Sequence, residues 1–432
     1  MTALPSAREA LAVWARVGCL SFGGPAAQIA LLHREVVEKR AWVSDARFLH
    51  ALNFCMLLPG PEAQQLATYL GWLMHGVRGG LAAGLFFVIP GAVVMLALSV
   101  LYATLGGVPL VAALFFGLKC AVLVVVVEAL LRVAKRALHG RAPWTLAAAG
   151  FLALFVFGAP FPLVVLAALV IGYLAPAAFT AGPARAAQGR PALLDAVLAA
   201  DPGRIARAAP AARRAGMLIL ALWLVPVALL LRLPFWGDIA WFFSKMAVVT
   251  FGGAYAVLAY VAQEAVEHYR WLSAADMLAG LGLAETTPGP LILVLQFVGF
   301  LAALPQGGVA AGIAGAALTL WVTFAPCFAW IFLGAPAIER LHAIPRLQGA
   351  LAAVTAVVVG VIGNLALWFG QQVLFTHQLP GPFALRLPVL SSLDAQALAL
   401  SLLAAACLFG LRLGLVRTLL ATAAAGLALS LA

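Results

Sequence analysis

Charge is what this 432-residue sequence has least of: 9% of its residues are Asp, Glu, Lys or Arg, while 65% are hydrophobic. Three stretches, 79–118, 143–184 and 286–338, contain no charged residue at all. Each is longer than the ~20 apolar residues that one membrane-spanning helix needs. This composition excludes a soluble globular protein. It predicts an all-α polytopic membrane protein in which Gly/Pro breaks divide the apolar runs into several spans.

Cysteine is scarce too, and the five cysteines are scattered among apolar residues with no paired spacing. That arrangement indicates neither a redox dithiol nor a zinc site. The sequence also shows no phosphate-binding loop and no ligand pattern for haem or flavin. We therefore expect no cofactor and no metal, and we interpret the chain as neither an enzyme nor a nucleotide-driven pump.

The sequence is basic, with a formal net charge of +11, but its basic residues lie in loops between apolar runs. A nucleic-acid-binding face would interleave basic and aromatic residues on a folded surface, so nucleic acid is not an expected partner. In membrane proteins such loop charges mark the cytoplasmic side. The lipid bilayer is the partner that the composition predicts.

Two segments of the sequence repeat each other. Residues 21–61 read SFGGPAAQIALLHREVVEKRAWVSDARFLHALNFCMLLPGP, and residues 250–290 align on them without a gap as TFGGAYAVLAYVAQEAVEHYRWLSAADMLAGLGLAETTPGP. Phe-Gly-Gly opens both copies and Pro-Gly-Pro closes both. We predict a first repeat at 1–180, a basic cytoplasmic linker at 181–214, and a second repeat at 215–432 that begins with one extra helix.

The distribution of basic residues predicts that the two repeats face opposite sides of the membrane. Loops of the first repeat are basic, as at Lys39, Arg40 and Arg47, whereas the second repeat has residues such as Gln263 and Glu267 in its corresponding segment. Cytoplasmic loops of membrane proteins carry the excess of Lys and Arg. An inverted repeat with a binding site near the bilayer midplane is typical of a secondary transporter.

Each repeat carries two Gly/Pro breaks inside apolar sequence. Non-helical backbone is tolerated at membrane depth only where protein or a water-filled cavity surrounds it, so four matching breaks predict an enclosed polar site on broken or re-entrant helices. The helix after a break would aim its N-terminal N–H groups and positive dipole end inward, which favours an anion. The alternative is that the breaks only kink helices for packing. The candidate backbone positions are Gly23, Gly24, Pro59, Gly60, Gly252, Gly253 and Gly289.

Polar side chains near the breaks are the candidate ligands of that anion. Arg16 and Lys245 occupy the same register of the repeat, five residues before the Ser or Thr that opens each copy, so two cations would approach the site. Alternatively, Arg16 snorkels to the headgroups. The neutral candidates are Ser21, Thr250, Thr286, Thr287, Gln64 and Gln65. The second repeat has Leu and Val in place of the two glutamines, so we expect an asymmetric site.

Four further charged residues lie in apolar sequence, where charge is costly and usually functional. Glu62 follows one Pro-Gly-Pro and Glu285 precedes the other, and either carboxylate could exchange a proton with a transport cycle. For Glu62 the alternative is a first-turn acid that complements its helix dipole. Lys119 and Glu128 lie nine residues apart. Lys119 is either a further substrate cation or one half of a buried ion pair with Glu128.

The two quoted segments, with Phe-Gly-Gly and Pro-Gly-Pro in both, resemble the long, two-domain members of the chromate ion transporter family. The match covers both halves and, less tightly, nearly the whole chain. The resemblance implies a multi-pass protein of the bacterial inner membrane that exports chromate, is driven by the proton gradient and confers chromate resistance. Many family members carry His where this sequence has Gln28. A titrating role for that position is therefore excluded here.

The residues themselves do not separate chromate from sulfate, because the two dianions have the same charge and nearly the same shape. Uptake of sulfate or another oxyanion, and a passive anion channel, therefore stand beside chromate export as alternatives. The resemblance alone selects chromate and the outward direction, with protons as the coupling ion. The sequence leaves a monomer and a homodimer equally open.

Overall fold

The structure is a computed structural model that describes residues 4–179, 192–251, 254–338 and 345–431. Within those residues it is almost entirely helical, which confirms the predicted all-α polytopic membrane protein. In chain order the helices are α1 (Ala7–Leu20), α2 (Gly24–His33), α3 (Asp45–Cys55), α4 (Glu62–Leu105), α5 (Pro109–Ala137), α6 (Arg141–Phe155), α7 (Phe161–Leu174), α8 (Leu193–Ala200), α9 (Arg204–Leu230), α10 (Pro234–Val249), α11 (Ala254–Gln263), α12 (Ala274–Thr286), α13 (Val294–Ala303), α14 (Gly308–Ile338), α15 (Pro345–Leu374), α16 (Ala395–Ala405) and α17 (Leu415–Leu431). Two short strands, β1 (Gln378–Pro380) and β2 (Arg386–Pro388), pair antiparallel.

Five of the described helices are long and apolar enough to cross a membrane, judged by length and composition: α4, α5, α9, α14 and α15. The extra helix predicted before the second repeat, at about residues 215–231, is observed as α9. It begins at Arg204, inside the predicted linker. The basic residues at the end of that linker therefore lie on a helix.

Two compact units divide the chain, and each takes segments from both predicted repeats. Unit 1 consists of Met1–Leu96, Gly182–Ala254 and Thr287–His342, and unit 2 of Ala97–Ala181, Tyr255–Thr286 and Ala343–Ala432. The chain passes from one unit to the other within α4, and again directly before the second Pro-Gly-Pro. The repeats and the compact units are thus two different divisions of the same chain.

In unit 1, α4 folds back on itself. Its backbone leaves the helical region at His75 (φ −130°, ψ 21°) and Gly76 (φ 64°, ψ −156°), so the residues before and after this turn form two antiparallel legs. The legs approach so closely that a Cβ added to Gly71 would lie 2.4 Å from the carbonyl oxygen of Gly79. Small residues allow such contact in a bilayer, where lipid is as apolar as the helices and packing holds them together.

Helices α13 and α14 of unit 1 form a second close pair. They are joined by the short 3₁₀ turn Leu304–Gln306, and a Cβ added to Gly315 would lie 2.3 Å from the carbonyl oxygen of Gly299. Large rings fill the core around these helices, among them Trp14, Phe48 and Phe332, none more than 2% exposed. Buried aromatic rings contribute the largest packing areas of any side chains, so they hold the broken helices in place.

Unit 2 is built around two long helices. Helix α5 packs on α17, and α15 packs on α6 and α7. Glycines again mark the contacts: a Cβ on Gly117 would lie 2.2 Å from the Thr422 carbonyl oxygen, and one on Gly172 would lie 2.3 Å from that of Gly349. The hairpin of β1 and β2 belongs to this unit, with Leu379 opposite Leu387.

Candidate functional site

The two Phe-Gly-Gly segments begin with the same backbone turn. Ser21 (φ −79°, ψ 68°) directly follows helix α1 and Thr250 (φ −77°, ψ 84°) directly follows α10, and both have backbone angles close to the inverse γ-turn. In each, the N–H of the following Phe donates to the carbonyl two residues earlier in the chain, at 3.0 Å. The Ser21 and Thr250 hydroxyls also donate backwards, to the carbonyl four residues earlier. The two repeats therefore enter their first break with one geometry.

Each Pro-Gly-Pro binds the turn of the other repeat. The N–H of Gly60 donates to the carbonyl of Thr250, and the N–H of Gly289 donates to the carbonyl of Ser21, each at 2.9 Å. Both glycines have positive φ, 121° and 88°, a conformation that glycine adopts without strain. All four residues belong to unit 1. A symmetric pair of backbone hydrogen bonds therefore joins the two repeats crosswise.

A buried glutamine braces one of these pairs. The Nε2 of Gln28 donates to the Gly289 carbonyl at 2.6 Å and lies 3.4 Å from the Ser21 carbonyl. It therefore contacts both partners of the second backbone hydrogen bond. In the register of the repeat, Val257 stands where Gln28 does, so the side-chain brace exists on one side only.

The polar start of α4 lies beside the other pair. Gln64 and Gln65 are both fully buried. The Gln65 Nε2 donates back to the Pro59 carbonyl at 2.7 Å, and the Gln64 Nε2 donates to the Thr68 hydroxyl at 3.0 Å. One donor of each amide is therefore engaged within the chain, and each amide oxygen is buried without a hydrogen-bond partner among the described residues.

The helix starts after the first-repeat breaks have the composition that the sequence predicted. Pro25 is the second residue of α2, and Pro61 directly precedes α4. Proline suits these positions because the first N–H groups of a helix have no partner within it. Glu62 is the first residue of α4, where a carboxylate complements the positive end of the helix dipole. The remaining first-turn N–H groups are the backbone donors that an anion would meet.

The two register-equivalent cations occupy different surroundings. Arg16 has a side chain that is 56% exposed, and its Nε lies 3.9 Å from Oε1 of the buried Glu35, which also accepts from Lys39 and Arg40. The Lys245 ammonium is half-buried and lies 5.8 Å from the centroid of the Phe242 ring. Of these two side chains, Lys245 is the more buried. The exposure of Arg16 is compatible with a headgroup contact.

The predicted coupling residues other than Glu62 lie in unit 2. Glu285 is 4% exposed, and its Oε1 accepts a hydrogen bond from the Tyr255 hydroxyl at 2.5 Å. Glu128 pairs with Arg132, one helical turn further along α5, rather than with Lys119. Of the two readings for Lys119, the ion pair with Glu128 is therefore not observed.

The candidate residues divide between the units as follows. Unit 1 holds Arg16, Ser21, Gly23, Gly24, Pro59, Gly60, Glu62, Gln64, Gln65, Lys245, Thr250, Thr287 and Gly289, and unit 2 holds Lys119, Glu128, Glu285 and Thr286. Gly252 and Gly253 lie outside the described residues.

Sequence reasoning missed several buried polar residues. Tyr255 was overlooked as the partner of Glu285, and Gln296, Thr319 and Thr323 were overlooked in unit 1, although all three are at most 4% exposed. A signal existed for the last two, because threonines four residues apart in a charge-free stretch share one helix face. The partner of Glu285 could not be found that way, since it depends on tertiary contact.

Unit 2 also contains a polar cavity of about 60 Å³, lined in part by Asn364, Gln371 and Arg386. Glu267, on its wall, accepts from the Trp368 indole at 3.0 Å and lies 3.7 Å from the Arg386 guanidinium. The charges of this cavity are thus paired within the unit. Across the part of the chain that the structure describes, no three His, Cys, Asp or Glu side chains are grouped to hold a metal ion.

Comparison with known proteins identifies the family. A sequence model described as chromate transporter matches residues 8–173 and 237–429, and each matched segment contains one copy of the repeated Phe-Gly-Gly to Pro-Gly-Pro segment. The chain belongs to the chromate transporter family. Like the rest of that family, it is a transport protein and not an enzyme, and its apolar helices make it a multi-pass membrane protein.

Three relatives match the chain over most of their length. The chain is 34% identical over 367 residues to the chromate transport protein of Pseudomonas aeruginosa, covering 82% of this chain and 79% of that protein. It is 28% identical over 356 residues to the chromate transport protein of Cupriavidus metallidurans, covering 82% and 80%. An uncharacterized transporter of Methanocaldococcus jannaschii is 23% identical over 337 residues, 78% of each chain. No solved structure matches the chain.

Proposed function

We propose that this protein exports chromate across the bacterial inner membrane in exchange for protons. The choice of chromate is supported by two relatives that are named chromate transport proteins and that align with 82% of the chain. The outward direction and the proton coupling are the finer parts of the proposal. They are supported by the resemblance of the two repeated segments and by the titratable residues described below.

The observation that carries a transport mechanism is the crosswise pairing of the breaks. Each repeat supplies one carbonyl, at Ser21 or Thr250, and one glycine N–H, at Gly60 or Gly289, to the other repeat. Any movement of one repeat against the other must swing or break these bonds. Because inverted-repeat transporters bind substrate where their repeats meet, we place the chromate path beside these pairs.

Backbone donors and one lysine are the anion-binding groups in this proposal. One N–H of each of the Gln64 and Gln65 amides is engaged with the chain, so these side chains have at most their second N–H for an anion. The first-turn N–H groups of α2 and α4 remain, with Gly23 and Gly24 allowing close approach of the backbone. Lys245 adds positive charge within the unit. A helix N-terminus favours negative charge through both its donors and its dipole.

Glu285 is the residue we propose to exchange the proton. It is a buried carboxyl whose partner, the Tyr255 hydroxyl, keeps a hydrogen bond to it. The charged groups that act on it within unit 2 are Arg132 and Glu128. A carboxyl that takes up a proton from one side of the membrane and releases it to the other couples proton flow to a conformational change. The coupling arises because the protonated form is neutral and the deprotonated form is negatively charged.

Everted inner-membrane vesicles that contain the protein test this function. With an acid interior, we expect chromate to accumulate, the accumulation to collapse on adding a protonophore, and Glu285→Gln to remove the pH-driven part. Glu9→Gln, at an exposed position in the first turn of α1, is the matched control. Sulfate flux in right-side-out vesicles without chromate uptake in everted ones would replace chromate export by oxyanion uptake. Chromate flux that ignores an imposed pH gradient would indicate a channel.

A further inference from the structure

Five buried oxygen atoms of unit 1 have no hydrogen-bond partner among the described residues. They are Oε1 of Gln64, Gln65 and Gln296, and Oγ1 of Thr319 and Thr323. None of these residues is more than 4% exposed. Buried polar groups are normally hydrogen-bonded, and each exception needs an explanation such as a bound ion. We call these atoms the five-oxygen cluster.

The three glutamines present oxygen, and not nitrogen, to this cluster. The amide nitrogens of Gln65 and Gln296 donate to backbone carbonyls, at 2.7 and 3.0 Å. The Gln64 nitrogen donates to the Thr68 hydroxyl, which gives its own proton to the Gln64 carbonyl. Because backbone carbonyls can only accept, exchanging nitrogen and oxygen in Gln65 or Gln296 would set two acceptors face to face. In Gln64 the orientation follows from the Thr68 hydroxyl, whose proton is given to the backbone carbonyl. The unpartnered amide atoms are therefore acceptors.

Helix α14 forms one wall of the cluster. Thr319, Thr323 and Cys327 follow one another at successive turns, so they share one face of the helix. A Cβ added to Gly60 would lie 2.7 Å from the Cys327 Sγ and 2.9 Å from the Gln65 Nε2. Gln65 therefore lies next to the turn of α14 that follows Thr323.

Helix α13 brings Gln296 to the same place. The Thr319 Oγ1 lies 2.1 Å from the position that a Cβ on Gly299 would take, and Gln296 precedes Gly299 by about one turn. Since α13 and α14 run antiparallel through a short connecting turn, Gln296 lies opposite the stretch from Thr319 to Thr323.

Gln64 completes the cluster at the middle of α14. Its partner Thr68 packs together with Phe328 against Gly84: a Cβ there would lie 2.3 Å from the Thr68 hydroxyl and 2.4 Å from the Phe328 ring. Helix α14 has 31 residues, so it is about 46 Å long and exceeds the ~30 Å hydrocarbon core. Thr323 is at its midpoint, which puts the cluster near the middle of the bilayer.

We propose that the five-oxygen cluster binds a dehydrated sodium ion. Amide and hydroxyl oxygens are ligands for hard cations, whereas divalent cations are usually held with carboxylates, and none of the five residues is charged. The tight helix contacts around the cluster favour sodium over the larger potassium ion. A free chromate dianion has acceptors only and could not bond to the amide oxygens. Besides the Thr319 and Thr323 hydroxyls, which can donate as well as accept, the unpartnered buried donors among the described residues are the indoles of Trp72 and Trp330.

The role of this ion rests on the proposed function, although its binding does not. A cation in the low-dielectric middle of the protein would offset charge on an oxyanion passing through the same unit, because charges interact strongly where water is excluded. Inverted-repeat transporters bind coupling cations in this way, with oxygen ligands beside broken helices. Sodium would therefore act as a second coupling ion next to the proton.

Sodium binding to the purified full-length protein tests the proposal directly, in buffer without chromate or sulfate. We expect saturable binding of radiolabelled sodium, and a rise in the thermal unfolding midpoint when sodium chloride replaces choline chloride at constant ionic strength. Thr323→Val should raise the sodium Kd about tenfold, while Thr323→Ser, which keeps the hydroxyl, should leave it unchanged. Thr355→Val is the matched control, because the Thr355 hydroxyl donates to the Leu351 carbonyl at 2.8 Å in unit 2.

Each outcome decides the proposal. Equal midpoints in sodium and choline, or an equal loss in the control variant, would overturn it. Stabilisation that needs chromate at acid pH and ignores sodium would instead assign the acceptors to a protonated oxyanion. If Thr323→Val does not fold, Thr319→Val replaces it, and the wild-type titration still decides. Sodium binding without chromate transport would refute the proposed function alone, and the reverse result would refute the sodium site alone.

Discussion

The two Pro-Gly-Pro breaks have the same backbone contacts but different surroundings. Gly60 and Gly289 donate to the other repeat at the same distance, 2.9 Å. After the first break, α4 begins directly and presents two buried glutamines. After the second, the 3₁₀ turn Leu291–Leu293 comes first, and its residues are apolar and buried. The backbone hydrogen bonds are therefore the same at both breaks, whereas the side chains that follow them differ.

This difference separates what a repeat must keep from what it can change. Glycine and proline act on their own backbone, so the breaks keep their geometry wherever these residues recur. Side chains beside the breaks depend on neighbours from other helices, and these differ between the repeats: Gln28 in one copy corresponds to Val257 in the other. A transporter whose repeats share the backbone breaks but differ in the side chains beside them can bind a different ion at each break.

A second register position, midway through the repeated segments, shows the same contrast. Arg47 donates to Asp195 at 2.6 Å in unit 1, and its repeat counterpart Asp276 accepts from the Tyr102 hydroxyl at 2.6 Å in unit 2. The charge at one register position has thus changed sign. Arg and Lys favour the cytoplasmic side, so a basic residue at this position in one repeat only is what the predicted opposite orientation of the repeats would give.

The largest expected effect comes from breaking the symmetry of the two glycines. Gly60→Ala should destabilise the protein by on the order of 2–4 kcal/mol, since its positive φ adds strain and the new Cβ would meet Cys327 at 2.7 Å. Gly289→Ala should cost on the order of 1–2 kcal/mol, because the tightest contact of its Cβ would be the flexible end of Leu293, at 3.1 Å, and its backbone contacts begin at 3.4 Å. Thermal unfolding midpoints in detergent would rank the variants.

Gly107→Ala is the control for both glycines, because a Cβ at Gly107 would meet nothing within 4 Å. It should unfold at the temperature of the wild type. Equal decreases in the unfolding midpoint for Gly60→Ala and Gly289→Ala would contradict this ranking. They would show that both breaks tolerate a side chain equally and that Cys327 moves to accommodate the new Cβ.

The positions of the breaks were predictable from sequence because they are local. Pro25 and Pro61 stand at helix starts, as expected, since proline fixes its own φ and lacks an N–H. The crosswise bonds were not predictable. The contact of Gln28 with Gly289 spans 261 residues, and no local pattern contains its partner.

The division into two compact units could not be predicted from the sequence pattern either. The repeat shows which segments are related, and it says nothing of which helices pack together. Glu285 was singled out as a charge in apolar sequence, but Tyr255, which binds it, is an ordinary aromatic residue in an apolar run. The hydrogen bonds of the Gln64 and Gln65 amides, to Thr68 and to the Pro59 carbonyl, are likewise seen only in the folded chain, and their predicted part in substrate binding stays a prediction.

A smaller effect is expected from removing the one-sided brace. Gln28→Met keeps the approximate side-chain shape and removes the donor to the Gly289 carbonyl, so a buried acceptor loses a partner. We expect destabilisation of about 1–2 kcal/mol, together with faster hydrogen exchange at the Gly289 amide than at the Gly60 amide. Gln348→Met, at an exposed position on α15, is the control. If both amides exchange faster to the same extent, the two breaks open together and the brace does not act on one side.

The smallest effect is expected from breaking the ion pair between Arg47 and Asp195. Burial alone would raise the pKa of Asp195, but hydrogen bonds from Arg47 and Ser44 outweigh it and lower the pKa below the ordinary 3.8. A depressed pKa means that the pair stabilises the fold at neutral pH and that this contribution disappears as the pH falls through the folded-state value.

Asp195→Asn should therefore cost roughly 1 kcal/mol or less at neutral pH, and the gap to the wild type should close as the pH falls below the ordinary Asp value of 3.8 and shrink in high salt. Unfolding midpoints across that pH range measure it, with the exposed Asp238→Asn as control. A gap that stays constant with pH would mean that the Asn change acts through packing. The comparison of Arg47 with Asp276 would then no longer be a comparison of charges.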